Sequence, residues 1–439
     1  MSYVYKPSLA WPLAVLLPSD ELSAEFGTAW FNTFYELVRD TPDGNPTVAS
    51  RAYAYCGVTF YEALVHGIER GKSLAGQLNG FDELPKPGPR RHHWPLVANA
   101  AMQAVATHFF PGSAGKIDAL GHEFYAKNGE VNRVAFRRSV DYGAALADAI
   151  IDWAEADGFL NLAARNAAFV PPVVPGPWVG RGSGLNPAWG QQRTFVLGSS
   201  TLCPAAGHPP FSEDPSSGFH AHAQLVYATT GDSGASLTEE QRDIAFFWSD
   251  GPGTGTPSVT GSIPSGVVAA QQHLDLAEVA EAYARVGLAV GDAFITSWQT
   301  KFTTYLLRPI TYIQRHMDPD WTPLIATPNF PTYTSGHSTQ SGAAMFVLTH
   351  QLGVIPYVDT IHVDRGNTAV LDQLMVDTRS FESFLEAGAE AAVSRLYGGI
   401  HCLFDNFDGL QQGQCIGANH ASGTDRASVA SGGRRGART

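Results

Sequence analysis

Apolar residues recur at helical spacing through most of this chain, a pattern that predicts helices rather than strands. Asp20–Val38 and Ala49–Glu69 carry such stretches, the second with Tyr53, Val58, Phe60, Tyr61 and Leu64. A further helix is expected from Pro95 to Phe110, ended by Pro111-Gly112, and the alanine-rich run Ser139–Ala156 reads as another. From Val170 to Ser217 the chain is dense in Pro, Gly, Ser and Trp with no sustained period, which predicts a long irregular connection. Ser236-Leu-Thr-Glu239 has the form of a capping box before the apolar run Ile244–Trp248. After Asp250-Gly251 a Gly/Pro/Thr loop continues through Gly266. Its glycines lack the GK[ST] ending of a phosphate loop, so it reads as irregular backbone. A long helix is expected from Leu274 to Arg308, with others over Ser338–Leu352 and Phe381–Tyr397. Strand patterns are weak throughout, and the fold class expected is all-α. The expected organisation is an N-terminal helical unit over 1–190, a second over 191–420 and a disordered tail over 421–439. In that tail Arg426, Arg434, Arg435 and Arg438 lie among Ser, Gly and Ala without an apolar period.

Composition narrows the function. With 439 residues, 44% of them apolar and only 16% charged, the chain can bury a sizeable core without covalent staples. The net charge of −13 argues against general affinity for nucleic acid or an anionic membrane, while leaving room for a local cationic pocket. No apolar run approaches the roughly 18 to 20 residues of a membrane span. Leu9–Pro18 is apolar but short and contains Pro12, so it reads as the start of a mature domain, with an export signal ahead of it still open. The four cysteines, Cys56, Cys203, Cys402 and Cys415, include no CxxC pair and argue against a zinc or iron–sulfur centre. One disulfide is open, Cys402 and Cys415 being the nearest pair in sequence. His220-Ala-His222 could set two imidazoles on one side of an extended segment, but no third metal ligand is near, and a surface or loop role is expected. His92-His93 are expected to be solvated.

Three segments carry candidate chemistry. In Lys301-Phe-Thr-Thr-Tyr-Leu-Leu-Arg308-Pro309, a helix would place Lys301 and Arg308 on one face, two turns apart, with Pro309 breaking it just after. Two cations so placed repel unless an anion lies between them. In Phe330-Pro-Thr-Tyr-Thr-Ser335-Gly336-His337, a helix start offers backbone N–H groups, a hydroxyl and an imidazole to one anion. In Ser394-Arg395-Leu-Tyr-Gly-Gly-Ile-His401-Cys-Leu-Phe-Asp405, Gly398-Gly399 should end the helix bearing Arg395 and swing His401 back toward it. Taken singly, these segments read as a solvated helix face, a helix cap and a satisfied histidine. Together they suit a tetrahedral oxyanion, which carries two to three charges and is desolvated only by several charge-assisted donors.

The ordered pattern K-x6-RP, SGH, SR-x5-H-x3-D resembles the superfamily of vanadium-dependent haloperoxidases, type 2 phosphatidic acid phosphatases and class A acid phosphatases. The motifs span Lys301 to Asp405, and weaker likeness runs from Ser236 to Gly417. Thr334 stands where the family usually has proline before Ser-Gly-His. The resemblance implies that Lys301, Arg308 and Arg395 hold the equatorial oxygens of vanadate, or of phosphate in the same site. It implies that Ser335 and the Gly336 amide add hydrogen bonds, that His337 is the acid–base and that His401 bonds the metal. Asp405 would orient His401 through its other nitrogen. Trp298, one turn before Lys301, and Phe330 match the aromatic lining of the chloroperoxidases, with core packing as the competing reading. Phe247-Trp248-Ser-Asp250-Gly251 is similar to the segment whose aspartate supports the site arginine, with a helix-terminal turn as the alternative. The chain is much longer than a class A phosphatase and has no span like the lipid phosphatases. The resemblance thus favours the two-bundle haloperoxidase, with hydrogen peroxide and halide as substrates. A phosphatase with a phosphohistidine intermediate and a non-catalytic oxyanion-binding protein are the alternatives. Members of the family are often exported.

Overall fold

The computed structural model describes residues 22–41, 45–249, 270–363 and 371–423, with Ser19 and Val268. Its elements are α1 (Glu25–Arg39), α2 (Pro46–Leu64), α3 (Trp94–Phe109), α4 (Ala114–Lys127), α5 (Arg133–Glu155), α6 (Leu162–Ala167), α7 (Gly218–Thr230) and α8 (Glu239–Phe247). Then follow α9 (Leu276–Thr304), α10 (Pro309–His316), α11 (Gly336–Leu352), β1 (Tyr357–Asp359), β2 (Arg379–Phe381), α12 (Phe384–Tyr397) and α13 (Leu403–Gly423). The two short strands pair antiparallel, Tyr357 opposite Phe381. The fold is all-α, a helical bundle arrangement organised around α9.

α9 starts at a reciprocal cap: Asp275 accepts the Glu278 N–H at 2.9 Å, and the Glu278 carboxylate accepts the Asp275 N–H at 3.0 Å. Its Ala, Val, Leu and Gly positions bury almost every side, as expected of a helix apolar all round. It packs against α2 on one side and α11 on another, and α11 in turn against α12 and α13. Glycines set the α2–α9 spacing. A Cβ on Gly57 would lie 2.6 Å from the Tyr283 carbonyl, and one on Gly287 would lie 2.8 Å from the Tyr53 carbonyl. Buried Asp292 on α9 accepts the backbone N–H groups of Phe195, Val196 and Leu197 at 2.6, 3.0 and 3.1 Å, and meets His420 Nε2 of α13 at 2.9 Å. The irregular 170–217 segment is thus held to the core by a buried carboxylate.

Several expectations need correction. The helix expected to reach Arg308 ends at Thr304: Tyr305 adopts the left-handed conformation (φ 50°, ψ 35°) and Arg308 is extended (φ −79°, ψ 155°). Proline disfavours helical geometry at the residue before it but suits the first helical position, so Pro309 opens α10 instead of breaking α9. Lys301 and Arg308 therefore do not share a helix face. The capping box before α8 uses Thr238 and Gln241, two residues later than expected. His220 and His222 lie in α7, started by the Ser217 cap, and not in an extended segment. His220 faces the Tyr312 hydroxyl and His222 the edge of Phe404. Among the described residues no group of three or more His, Cys, Asp or Glu could hold a metal ion. His92 is buried and stacked on Trp94, while His93 Nδ1 caps Leu96 of α3 at 3.3 Å, so neither is simply solvated. Cysteine pairing joins Cys203 to Cys415; Cys402, the nearer neighbour in sequence, is free and buried, as is Cys56. α13 continues through 421–423 of the expected tail. The rest of that tail, the Gly251–Gly266 loop, Asp250 and Leu9–Pro18 lie outside the described residues.

Candidate oxyanion site

The chain reversal at Tyr305 achieves what a shared helix face would have done. Lys301, in the last turn of α9, points its ammonium at the carbonyls of Pro331 (3.1 Å), Thr332 (2.9 Å) and Thr334. Arg308 donates from Nε to the Phe330 carbonyl at 2.8 Å and from Nη1 to the Ile400 carbonyl at 2.9 Å; its Nη2 is buried without a partner. Both cations lie against Phe330, with Lys301 Nζ 5.2 Å and the Arg308 guanidinium carbon 4.8 Å from its ring centre. Trp298 packs on Phe330 at 4.9 Å and donates its indole N–H to Leu185.

Ser335 is the N-cap of α11, accepting the Ser338 N–H at 3.4 Å, so Gly336 and His337 form that helix's first turn and its positive end. A Cβ built on Gly336 would lie 3.5 Å from Trp298 and 3.9 Å from Lys301 Cε, which puts this helix start beside the lysine. Gly399 (φ +74°) reverses the chain after α12 as the sequence predicts, and a Cβ there would meet Pro323 at 2.9 Å. Arg395 on α12 and His401 beyond the turn therefore return to the same region.

His401 is buried, and its hydrogen bonds define its tautomer. A guanidinium can only donate, so the 3.0 Å contact from Arg308 Nη1 makes His401 Nε2 the acceptor. The ring proton then sits on Nδ1, 3.1 Å from the Thr332 hydroxyl and 3.3 Å from Asp405 Oδ2. The same Asp405 oxygen accepts from the Thr332 hydroxyl and the Cys402 N–H, each at 2.8 Å. Burial lowers the His401 pKa well below the usual value, and Arg308, Lys301, His337 and Arg395 each lower it further. Burial also lowers Lys301, with Arg308 adding repulsion, and brings Arg308 down to about 9. The Asp405 carboxyl is pushed up to about 6 by burial. These shifts share one leading cause: Lys301, Arg308, His401 and Asp405 are desolvated together.

The last turn of α8 supports the remaining groups. Arg395 donates to the Ala245 carbonyl at 3.0 Å, and His337 Nε2 lies 2.9 Å from the Trp248 carbonyl. Trp248 is itself fixed through its indole N–H to Glu390 at 2.9 Å, and Glu390 pairs with Arg379 at 2.6 Å. The structure thus brings together Lys301, Arg308, Ser335, Gly336, His337, Arg395, His401, Asp405, Trp298 and Phe330. Thr332, Trp248 and Glu390 escape sequence reasoning, because a hydroxyl, a carbonyl and a distant carboxylate carry no spacing signal.

The donor set fits an oxyanion: buried cations, an orphaned guanidinium N–H, a helix N-terminus and one unprotonated imidazole nitrogen. A helical protein with a buried cationic pocket of this kind is the class that fold and site define. The VCPO second helical-bundle domain family matches residues 281–427. The vanadium chloroperoxidase of Curvularia inaequalis is 26% identical over 182 residues, 31% of this chain. The match spans only 29% of that protein's length. The crystal structure described as the first bacterial vanadium-dependent iodoperoxidase is 32% identical, with a TM-score of 0.81 over 92% of this chain and 96% of that one. A holo-type bacterial vanadium-dependent chloroperoxidase shares the fold at 15% identity and a TM-score of 0.66, covering 87% of this chain and 92% of its own. The chain belongs to the vanadium-dependent haloperoxidase family.

Proposed function

We propose that this enzyme binds vanadate in the pocket around His401 and uses hydrogen peroxide to oxidise a halide to hypohalous acid. The observation that carries the reading is the convergence of Lys301, Arg308 and Arg395 on His401, whose Nε2 carries no proton. Lys301, Arg308 and Arg395 would hold the oxygens, Ser335 and the Gly336 amide would add hydrogen bonds, and His401 would bond the metal. Vanadate, when bound, supplies a Lewis acid that need not change its oxidation state. His337, less buried than its neighbours and held by the Trp248 carbonyl, takes the proton that hydrogen peroxide gives up. Lys301, held by the Pro331, Thr332 and Thr334 carbonyls, would add its positive charge beside the oxygens of the bound group. Asp405 and Thr332 keep the His401 proton on Nδ1, away from the anion. Trp298 and Phe330 wall the pocket beside the cations and limit water.

The test is an oxidation assay with peroxide and iodide, the halide named for the 32%-identical relative, before and after adding orthovanadate. A parallel reaction contains a phosphomonoester. Vanadate-dependent halide oxidation, suppressed by phosphate, is the expected result. Phosphate release inhibited by vanadate, without halide oxidation, would instead make His401 a phosphorus nucleophile. Vanadate binding with neither turnover would reduce the protein to an oxyanion carrier.

A further inference from the structure

His337 is held from outside its own helix by the end of α8. That helix has nine residues, Glu239–Phe247, too few to be stable alone, so its position is set by what it touches. Its C-terminal carbonyls form its negative pole, and three side chains donate there. Arg395 Nη2 meets the Ala245 carbonyl at 3.0 Å, His362 Nε2 the Phe247 carbonyl at 2.7 Å and His337 Nε2 the Trp248 carbonyl at 2.9 Å. A carbonyl only accepts, so His337 and His362 each carry a proton on Nε2.

Trp248 joins this carbonyl to a buried ion pair. It is the C-cap of α8 and 2% exposed, and its indole N–H donates to Glu390 Oε1 at 2.9 Å. Glu390 is not free to follow a moving tryptophan. Arg379 grips it with two prongs, Nε to Oε1 at 2.6 Å and Nη2 to Oε2 at 2.9 Å. The same guanidinium reaches back to α8, to Glu240 at 2.6 Å and to Asp243 at 3.4 Å, and Asp243 accepts the Met375 N–H at 2.8 Å. One arginine of β2 thus fastens the carboxylates of α8 to a carboxylate of α12, the helix that bears Arg395.

A general base works only within hydrogen-bond reach of the proton it takes, and a small misplacement costs rate more than binding. We propose that Trp248 and Glu390 are positioning residues for proton transfer: the Arg379–Glu390 pair fixes the indole, and the indole fixes the carbonyl that aims His337. The proposal rests on the reading of His337 as the acid–base, so the first measurement is one that needs no turnover.

That measurement is NMR of the full-length protein, labelled with nitrogen-15 at histidine, before vanadate is added. Wild type should show a slowly exchanging Nε2–H resonance that vanishes in His337→Ala. Trp248→Phe, which removes the indole N–H and keeps the backbone carbonyl, should broaden or abolish it. The second measurement is turnover at saturating vanadate and peroxide. Trp248→Phe should lower kcat by about 10-fold and change vanadate affinity by less than about threefold; added to His337→Ala, it should lower kcat no further. Glu390→Leu should behave as Trp248→Phe does, and Glu390→Gln, whose amide oxygen can still accept the indole N–H, should recover most of the activity. An equal loss of kcat with and without His337, or an unaltered His337 resonance in folded Trp248→Phe beside normal wild-type turnover, overturns the positioning alone. A resonance lost as expected in a protein without turnover refutes the acid–base reading and this proposal with it. If neither Trp248→Phe nor Glu390→Leu folds, the wild-type spectrum and Glu390→Gln decide: no protected His337 N–H, or no activity in a folded Glu390→Gln, overturns the proposal.

Discussion

Thr332 reaches two groups at once, and its hydroxyl shows why single atoms matter in this pocket. It donates to Asp405 and accepts from the His401 Nδ1 proton, so it helps leave Nε2 bare on the cationic side. Thr332→Val keeps the shape and removes that link; vanadate affinity, read by calorimetry, should fall by about 10- to 100-fold, and Thr332→Ser should restore it. A change under twofold would take Thr332 out of the positioning of His401. His401→Ala should lose vanadate-dependent oxidation altogether. His337→Ala should keep vanadate bound but lower kcat by about 10²- to 10⁴-fold, and an unchanged kcat would leave the acid–base role to another group. The cations, the Ser-Gly-His triplet and the two site histidines were legible in the sequence, because charged groups among apolar neighbours demand a partner. Thr332 was not, since threonine hydroxyls are common and this one acts only after Lys301 has drawn the Pro331–Thr334 carbonyls around itself.

Helix starts and stops were legible at some caps and glycines, as at Ser335 and Gly398-Gly399, but not at the Ser217 cap of α7 or the Thr238 cap of α8. The end of α9 was not, because the apolar period runs on past Thr304 while Pro309 forces Arg308 into extended backbone. α7 was missed for a related reason: Leu225 is exposed, Thr230 is buried and His220 and His222 are half-buried, which blurs the apolar period. Cysteine pairing was equally hidden, since proximity in sequence favours Cys402 while the fold brings Cys203 to Cys415 across 212 residues. That bond fastens the irregular segment to α13, the helix that carries Asp405. Cys415→Ser should therefore lower unfolding free energy by about 2–4 kcal/mol, measured by urea titration. A reductant should lower the wild type by the same amount and leave the variant unchanged; equal stability of the two proteins would show that the Asp292 clamp alone holds the segment.

At the scale of the whole molecule, an acidic chain keeps a cationic pocket by segregating charge, and burial sets its response to pH. Carboxyls buried without a cation pull in one direction. Burial pushes Glu62 up to about 7 from the ordinary 4.5, although it accepts the Leu74 N–H and the Ser73 hydroxyl. Asp359 is likewise raised by burial to about 7, and burial raises even Asp405, beside Lys301 and Arg308, to about 6. A raised folded-state pKa means that the native protein holds a proton the unfolded chain has already released. The stabilisation is complete below about 4.5 for Glu62 and is lost as pH rises toward about 7. Each such group contributes a slope of up to about 1.4 kcal/mol per pH unit within its window. Glu62→Gln can still accept from Leu74 and donate to Ser73, so it should fold. Its stability between pH 5 and 7 should fall less steeply than that of the wild type, and it should be the more stable protein at pH 8. Urea midpoints across that range decide the matter. Parallel curves for the two proteins would mean that Glu62 is already ionised in the native state, with its two donors outweighing burial.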